Sequence, residues 1–123
     1  MPDEPRSHTL PTLITGEDGR TIWTDRHWPT EARGGMLLSP QIGCSSLRLR
    51  QSDPGYSANW HVAGDPTLII VRTGCLALIL RDGEARSFGP GEAFIAADKL
   101  PPGQAFNDAL HGHRAEVMGD DVF

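Results

Sequence analysis

No apolar run of the roughly 18 or more residues that a membrane-spanning helix needs occurs in the chain, and its start, MPDEPRSHTL, lacks the basic cluster and apolar stretch of a secretory signal. A cytoplasmic protein with no membrane partner is the expectation. Cysteine is scarce: Cys44 and Cys75 form no CxxC pair and sit in apolar, strand-like sequence, which predicts two buried free thiols. A basic surplus is missing as well. Asp and Glu number 16 against 11 Lys and Arg, for a formal charge of −5, and a chain that binds a phosphate backbone normally carries a concentrated basic face. Nucleic acid is therefore not an expected partner. Lys99 is the single lysine, a bias from which no function follows. Heptads, internal repeats and strongly amphipathic helical segments are absent too, so nothing competes with a strand-based reading.

What the chain does have is turns. Its 123 residues suit one domain, and 14 Gly with 10 Pro among 38% hydrophobic and 22% charged residues favour a turn-rich globular fold over a helical bundle or a disordered chain. Residues 1–12, punctuated by Pro2, Pro5 and Pro11, read as an N-terminal arm, and 13–123 as the domain. After a turn at Asp18-Gly19, Thr21 to Trp28 reads as an edge strand, and Met36 to Leu38 as a short strand in a Gly-rich loop. Ser45 to Arg50 alternates, with Leu47 and Leu49 facing one way and Ser46, Arg48 and Arg50 facing water. Tyr56 to Ala63 has the aromatic content of a strand. TLIIVRT, residues 67–73, is too apolar for an exposed strand and is expected inside. CLALILR follows Gly74, Asp82-Gly83 supplies a two-residue hairpin turn, EARSF returns, and EAFIAAD and HGHRAEVM complete the series around a Pro-rich loop. Seven to nine short strands in a chain of this length mean a sandwich or barrel.

Two histidine signals flank this meander, GYSANWH at residues 55–61 and HGH at 111–113. With these residues the chain resembles the cupins, small single-domain jelly-roll β-barrels that hold metal ligands inside. Gly55, His61 and Gly74 stand in the register of the first cupin motif, while its second His falls on Ala63 and its Glu on Thr67. Gly91 opens the second motif, yet Ala97 replaces its Pro and no His follows at the usual distance. A subgroup of small cupins is similar over about residues 55–118, through Trp60-His61, Arg72-Thr73-Gly74, Asp82-Gly83, Phe88 to Glu92, Ala97-Asp98 and Gly112-His113, with a weaker match at Ile14 to Gly19. Relative to it, the stretch between Asp98 and His113 is an insertion, with Phe106 and Leu110, placed to cover one barrel mouth.

The resemblance implies a site inside the barrel. Residues two apart on a strand share a face, so His111 and His113 are expected to point inward together and to meet His61 from a neighbouring strand. Three imidazoles suit a divalent transition metal, Zn, Fe, Mn or Ni, and Asp98 either adds a carboxylate or orients a ring. The loss of two ligands at Ala63 and Thr67 leaves a metal-free site open, in which His61, His113 and Asp98 carry acid–base chemistry. Tyr56, Asn59 and Thr67 are candidate polar positioners beside an apolar wall of Trp60, Ile69, Val71, Phe94 and Phe106. His8 and His27 are placed by no motif and are read as surface residues. Two functions follow. One is an enzyme transforming a small organic molecule, as an isomerase, cyclase, lyase or oxygenase. The other is a non-catalytic module that binds such a molecule after losing the metal site. A homodimer is expected in either case.

Overall fold

The structure is a computed structural model that describes residues 7–123, and it is all-β. Strand β1 (Ser7–Thr15) folds back on β2 (Thr21–Pro29) through a turn closed by the Gly16 amide on the Arg20 carbonyl (2.8 Å). Two short strands, β3 (Glu31–Arg33) and β4 (Met36–Leu38), make a separate small hairpin. Then come β5 (Thr67–Ile70), β6 (Cys75–Ile79), β7 (Ala85–Phe88), β8 (Ala93–Ala96) and β9 (Arg114–Met118). A turn forms at Asp82-Gly83 between β6 and β7, but with three residues, Arg81 to Gly83, in place of the expected two: the Leu80 amide bonds the Glu84 carbonyl, the Gly83 amide bonds the Leu80 carbonyl, and Gly83 has φ 89, a left-handed value that Gly adopts without cost.

Pairing gives a four-stranded sheet in the order β2-β1-β8-β5 and a three-stranded sheet in the order β7-β6-β9. One core joins them. Leu13, Phe94 and Ala96 from the first sheet meet Leu76, Leu78, Phe88, Ala115 and Val117 from the second, all buried. Trp23 on β2 spans the gap, its ring 5.5 Å from Phe88 and 6.1 Å from Phe94, and those two rings lie 4.6 Å apart. Each aromatic side chain buried in this way contributes about 1.5–3 kcal/mol relative to exposure, so this cluster holds the sheets face to face.

Several expectations need correction. Ser45 to Arg50 is not a strand: nothing pairs with it, and Leu47 and Leu49 are 88% and 79% exposed. Alternation supplies a face but no hydrogen-bonding neighbour, and without one the segment stays irregular. The run at 67–73 is not inside as a whole. β5 is the outer strand of its sheet, so Ile69 and Val71 turn to the core while Leu68 and Ile70 are 53% and 63% exposed. Tyr56 to Ala63 makes isolated bridges to the end of the second sheet, Ser57 with Glu116 and His61 with His113, instead of a full strand. Both thiols are free, but Cys44 is exposed and Cys75 only half-buried, since the Cys44 segment never joins a sheet. Of the expected arm, residues 1–6 lie outside the described residues and Ser7 to Thr12 belongs to β1. β2 does lie at a sheet edge, and His8 and His27 are exposed.

Candidate functional site

Two inward-facing rows of side chains end in polar residues at the same place. On β8 and its extension, the two-residue period points Phe94, Ala96 and Asp98 to one side, each buried. The row continues past the strand because the Ala97 amide bonds the Leu13 carbonyl (2.9 Å) and the Lys99 amide bonds Thr15 Oγ1 (2.9 Å). On β9 the matching row runs Val117, Ala115, His113. Where the rows end, Asp98 and His113 touch.

Asp98 is 0% exposed and His113 3%. His113 Nδ1–H donates to Asp98 Oδ2 at 2.7 Å, the Thr21 hydroxyl donates to the same oxygen at 2.8 Å, and the Ala63 amide donates to Oδ1 at 3.0 Å. Burial alone pushes the Asp98 pKa up. The His113 hydrogen bond and charge, with the Ala63 amide and the Thr21 hydroxyl, pull it down, and together they hold it below the ordinary carboxylate range. Asp98 is thus an anion at neutral pH, and by holding the His113 Nδ1–H it fixes the ring and leaves Nε2 as the nitrogen that can exchange a proton.

His113 lies on the wall of a cavity of about 650 Å³, with His61 beside it and Thr67, Leu78, Phe94 and Ala96 among the other wall residues. The two rings are 4.6 Å apart and tilted by 56°. Reciprocal backbone hydrogen bonds between His61 and His113 (3.0 and 2.9 Å) set that spacing, and the His61 ring is turned by its Nδ1–H, which donates to the Asn59 carbonyl at 2.6 Å. His61 is otherwise exposed.

His111 does not join them. Gly112 between the two has φ 86, which breaks the strand alternation and sends neighbouring side chains to different sides. A Cβ at position 112 would run into the His61 carbonyl, so only Gly allows this close approach. The buried His111 ring instead receives the Asn107 amide on Nδ1 (2.9 Å) and lies 6.0 Å from the Phe106 ring, with its Nε2 close to Gly19. It orders the Pro-rich loop before β9.

The candidate ligand-binding residues divide. Thr67 and Phe94 line the cavity, and Phe94 is fully covered. Tyr56, Asn59, Trp60 and Phe106 are not on its wall. Tyr56 lies under Arg50 (5.1 Å) and Trp60 under Arg81 (3.8 Å), both outside the cavity because the segment that carries them runs along the edge of β9. Arg81 also donates from Nη2 to the His111 carbonyl (2.9 Å), so Trp60, Arg81 and the Pro-rich loop before β9 form one layer.

Among the described residues no group of three or more His, Cys, Asp or Glu is arranged to hold a metal ion. His61 and His113 are a pair without a third donor, Asp98 is already committed to His113, Thr21 and Ala63, and His111 faces away. This donor set does not fit the three-ligand metal centre that the cupin resemblance implies. The chain matches no family model, no curated protein and no solved structure.

The charged residues of the wall, Arg48, Arg50 and Arg72, went unnoticed as such in the sequence. The first two sit on what reads as the wet face of an alternating segment, and nothing in that pattern says that the face looks onto a cavity. Thr21 carries no sequence signal either.

Proposed function

We propose that the protein binds a small organic molecule in the cavity and transforms it by proton transfer through His113, oriented by Asp98. The observation that carries this reading is the 2.7 Å contact between a fully buried carboxylate and an imidazole on the cavity wall. With Nδ1–H held by Asp98, His113 Nε2 takes a proton from a bound C–H or O–H group. Asp98 then stabilises the imidazolium until the proton is returned at another atom. Such a positioned acid–base group contributes about 10²–10⁴-fold to a rate. His61, whose Nδ1–H is also committed, offers a second Nε2 one ring away and is the candidate for the return step. Proton relocation of this kind suits an isomerase, a cyclase or a lyase. It needs no third metal ligand.

The same reading places the chain as a cupin-like jelly roll whose barrel is lined at one end by the dyad. The motif residues Gly55, His61, Gly74 and Gly91 support that placement, as do the two facing sheets and the cavity between their inner faces.

The test is solvent deuterium incorporation into, or turnover of, compounds that bind the cavity. His113→Asn is expected to lower the rate by 10²-fold or more, with binding kept, as loss of a general base would do. Asp98→Asn is expected to lower it by a smaller factor. Full activity in the His61→Ala/His113→Ala variant would rule these residues out, and binding without turnover across a broad panel would assign the cavity to capture alone.

A further inference from the structure

The cavity is charged on one side only. Arg48, Arg50 and Arg72 stand on its wall, and among the described residues no Asp or Glu does. Asp98 lies behind His113, saturated by His113, Thr21 and Ala63. None of the three arginines forms an ion pair with an acidic group among the described residues; the pairs that exist elsewhere join Arg33 to Glu31, Arg81 to Asp108 and Arg114 to Glu116. Arg50 is held in place without being neutralised, through its Nε on Ser52 Oγ (3.1 Å) and its guanidinium over Tyr56. A chain of net charge −5 that gathers around this cavity arginines without an acidic partner among the described residues is complementary to an anion there. Most of the rest of the wall, including Ile69, Val71, Leu76, Leu78 and Phe94, is hydrocarbon and asks for an apolar body, with Gln51, His61, Thr67, Thr73 and His113 as its polar interruptions.

We infer that the ligand is a small organic carboxylate: its acid group bound by Arg48, Arg50 and Arg72, and its apolar body set against Ile69, Leu78 and Phe94 within reach of the His113 wall. The inference rests on the cavity being a ligand site, as the proposed acid–base function requires, but it does not depend on any reaction occurring. Guanidinium pairs with carboxylate through two parallel hydrogen bonds, so an acid should be strongly preferred to its neutral amide.

Calorimetric titration of the full chain with octanoate, octanamide and inorganic phosphate tests this. Octanoate is expected to bind about tenfold or more tightly than octanamide, a ratio that one charge-assisted pair readily supplies, and the preference should shrink as salt is added. Arg48→Gln and Arg72→Gln, both exposed positions where folding is not at stake, should each weaken octanoate several-fold and leave octanamide unchanged. Equal binding of acid and amide, no binding of either, or a preference that survives the double arginine variant would overturn the inference. Phosphate binding as tight as octanoate would overturn its apolar part. A carboxylate preference with no turnover of any acid offered leaves this inference standing and counts against the acid–base reading. Turnover of neutral compounds without such a preference does the reverse.

Discussion

A buried charge is stable only when its surroundings answer it, and Asp98 receives three donors from three separate stretches of chain: Thr21, Ala63 and His113. Asp98→Ala removes the acceptor and leaves those donors buried without a partner. Its expected cost is on the order of 3 kcal/mol, measured by urea unfolding. Because the folded Asp98 holds its proton less tightly than the unfolded chain does, the unfolded state binds more protons as pH falls. The stabilisation is complete at neutral pH, begins to fade as pH drops through the ordinary carboxylate range, and is lost below the depressed folded value. Asp98→Asn should flatten that part of the stability curve. An acid limb unchanged in the variant would show that Asp98 does not carry it.

At the scale of elements, the site depends on one irregular joint before β9. Gly112 has a positive φ and no room for a Cβ against His61, whose carbonyl carbon would lie 2.7 Å from it. Gly112→Ala is expected to destabilise by about 2 kcal/mol or more from backbone strain and collision combined, and to break the paired hydrogen bonds between His61 and His113. Amide exchange at His61 and His113 should speed up in the variant, while exchange in β6 should not.

The same joint explains what was legible in the sequence. Asp98 and His113 can be read as inward positions because each ends a two-residue alternation that the strand enforces. His111 is misplaced by that rule because Gly112 interrupts it, and a glycine in a sequence does not announce the sign of its φ. Leu47 and Leu49 mislead for a different reason. Alternation describes one segment, whereas a strand requires a second segment to receive its hydrogen bonds, and that is a property of topology. Arg48 and Arg50 were hidden by the same gap.

At the scale of the molecule, two sheets share one core, but among the described residues no strand pairs with the outer edge of β5, and Leu68 and Ile70 are exposed. Since Ile70 is exposed, Ile70→Lys should change stability by less than about 0.5 kcal/mol, and a charge on an edge strand should reduce aggregation on heating. Light scattering during thermal unfolding measures both. A large fall in the unfolding temperature would mean that this edge is covered in the folded protein.

Asp98 also bears on descent. The carboxylate that orients the His113 ring is at once the knot that ties β2, the Ala63 turn and the approach to β9 to the end of β8. A lineage without the proposed chemistry would still need the knot, while His113 could be exchanged for any side chain that satisfies the carboxylate. Under the proposed function, an aspartate kept at this position in related chains would therefore report an inherited architecture, and the residue at position 113 would report whether the acid–base chemistry is kept.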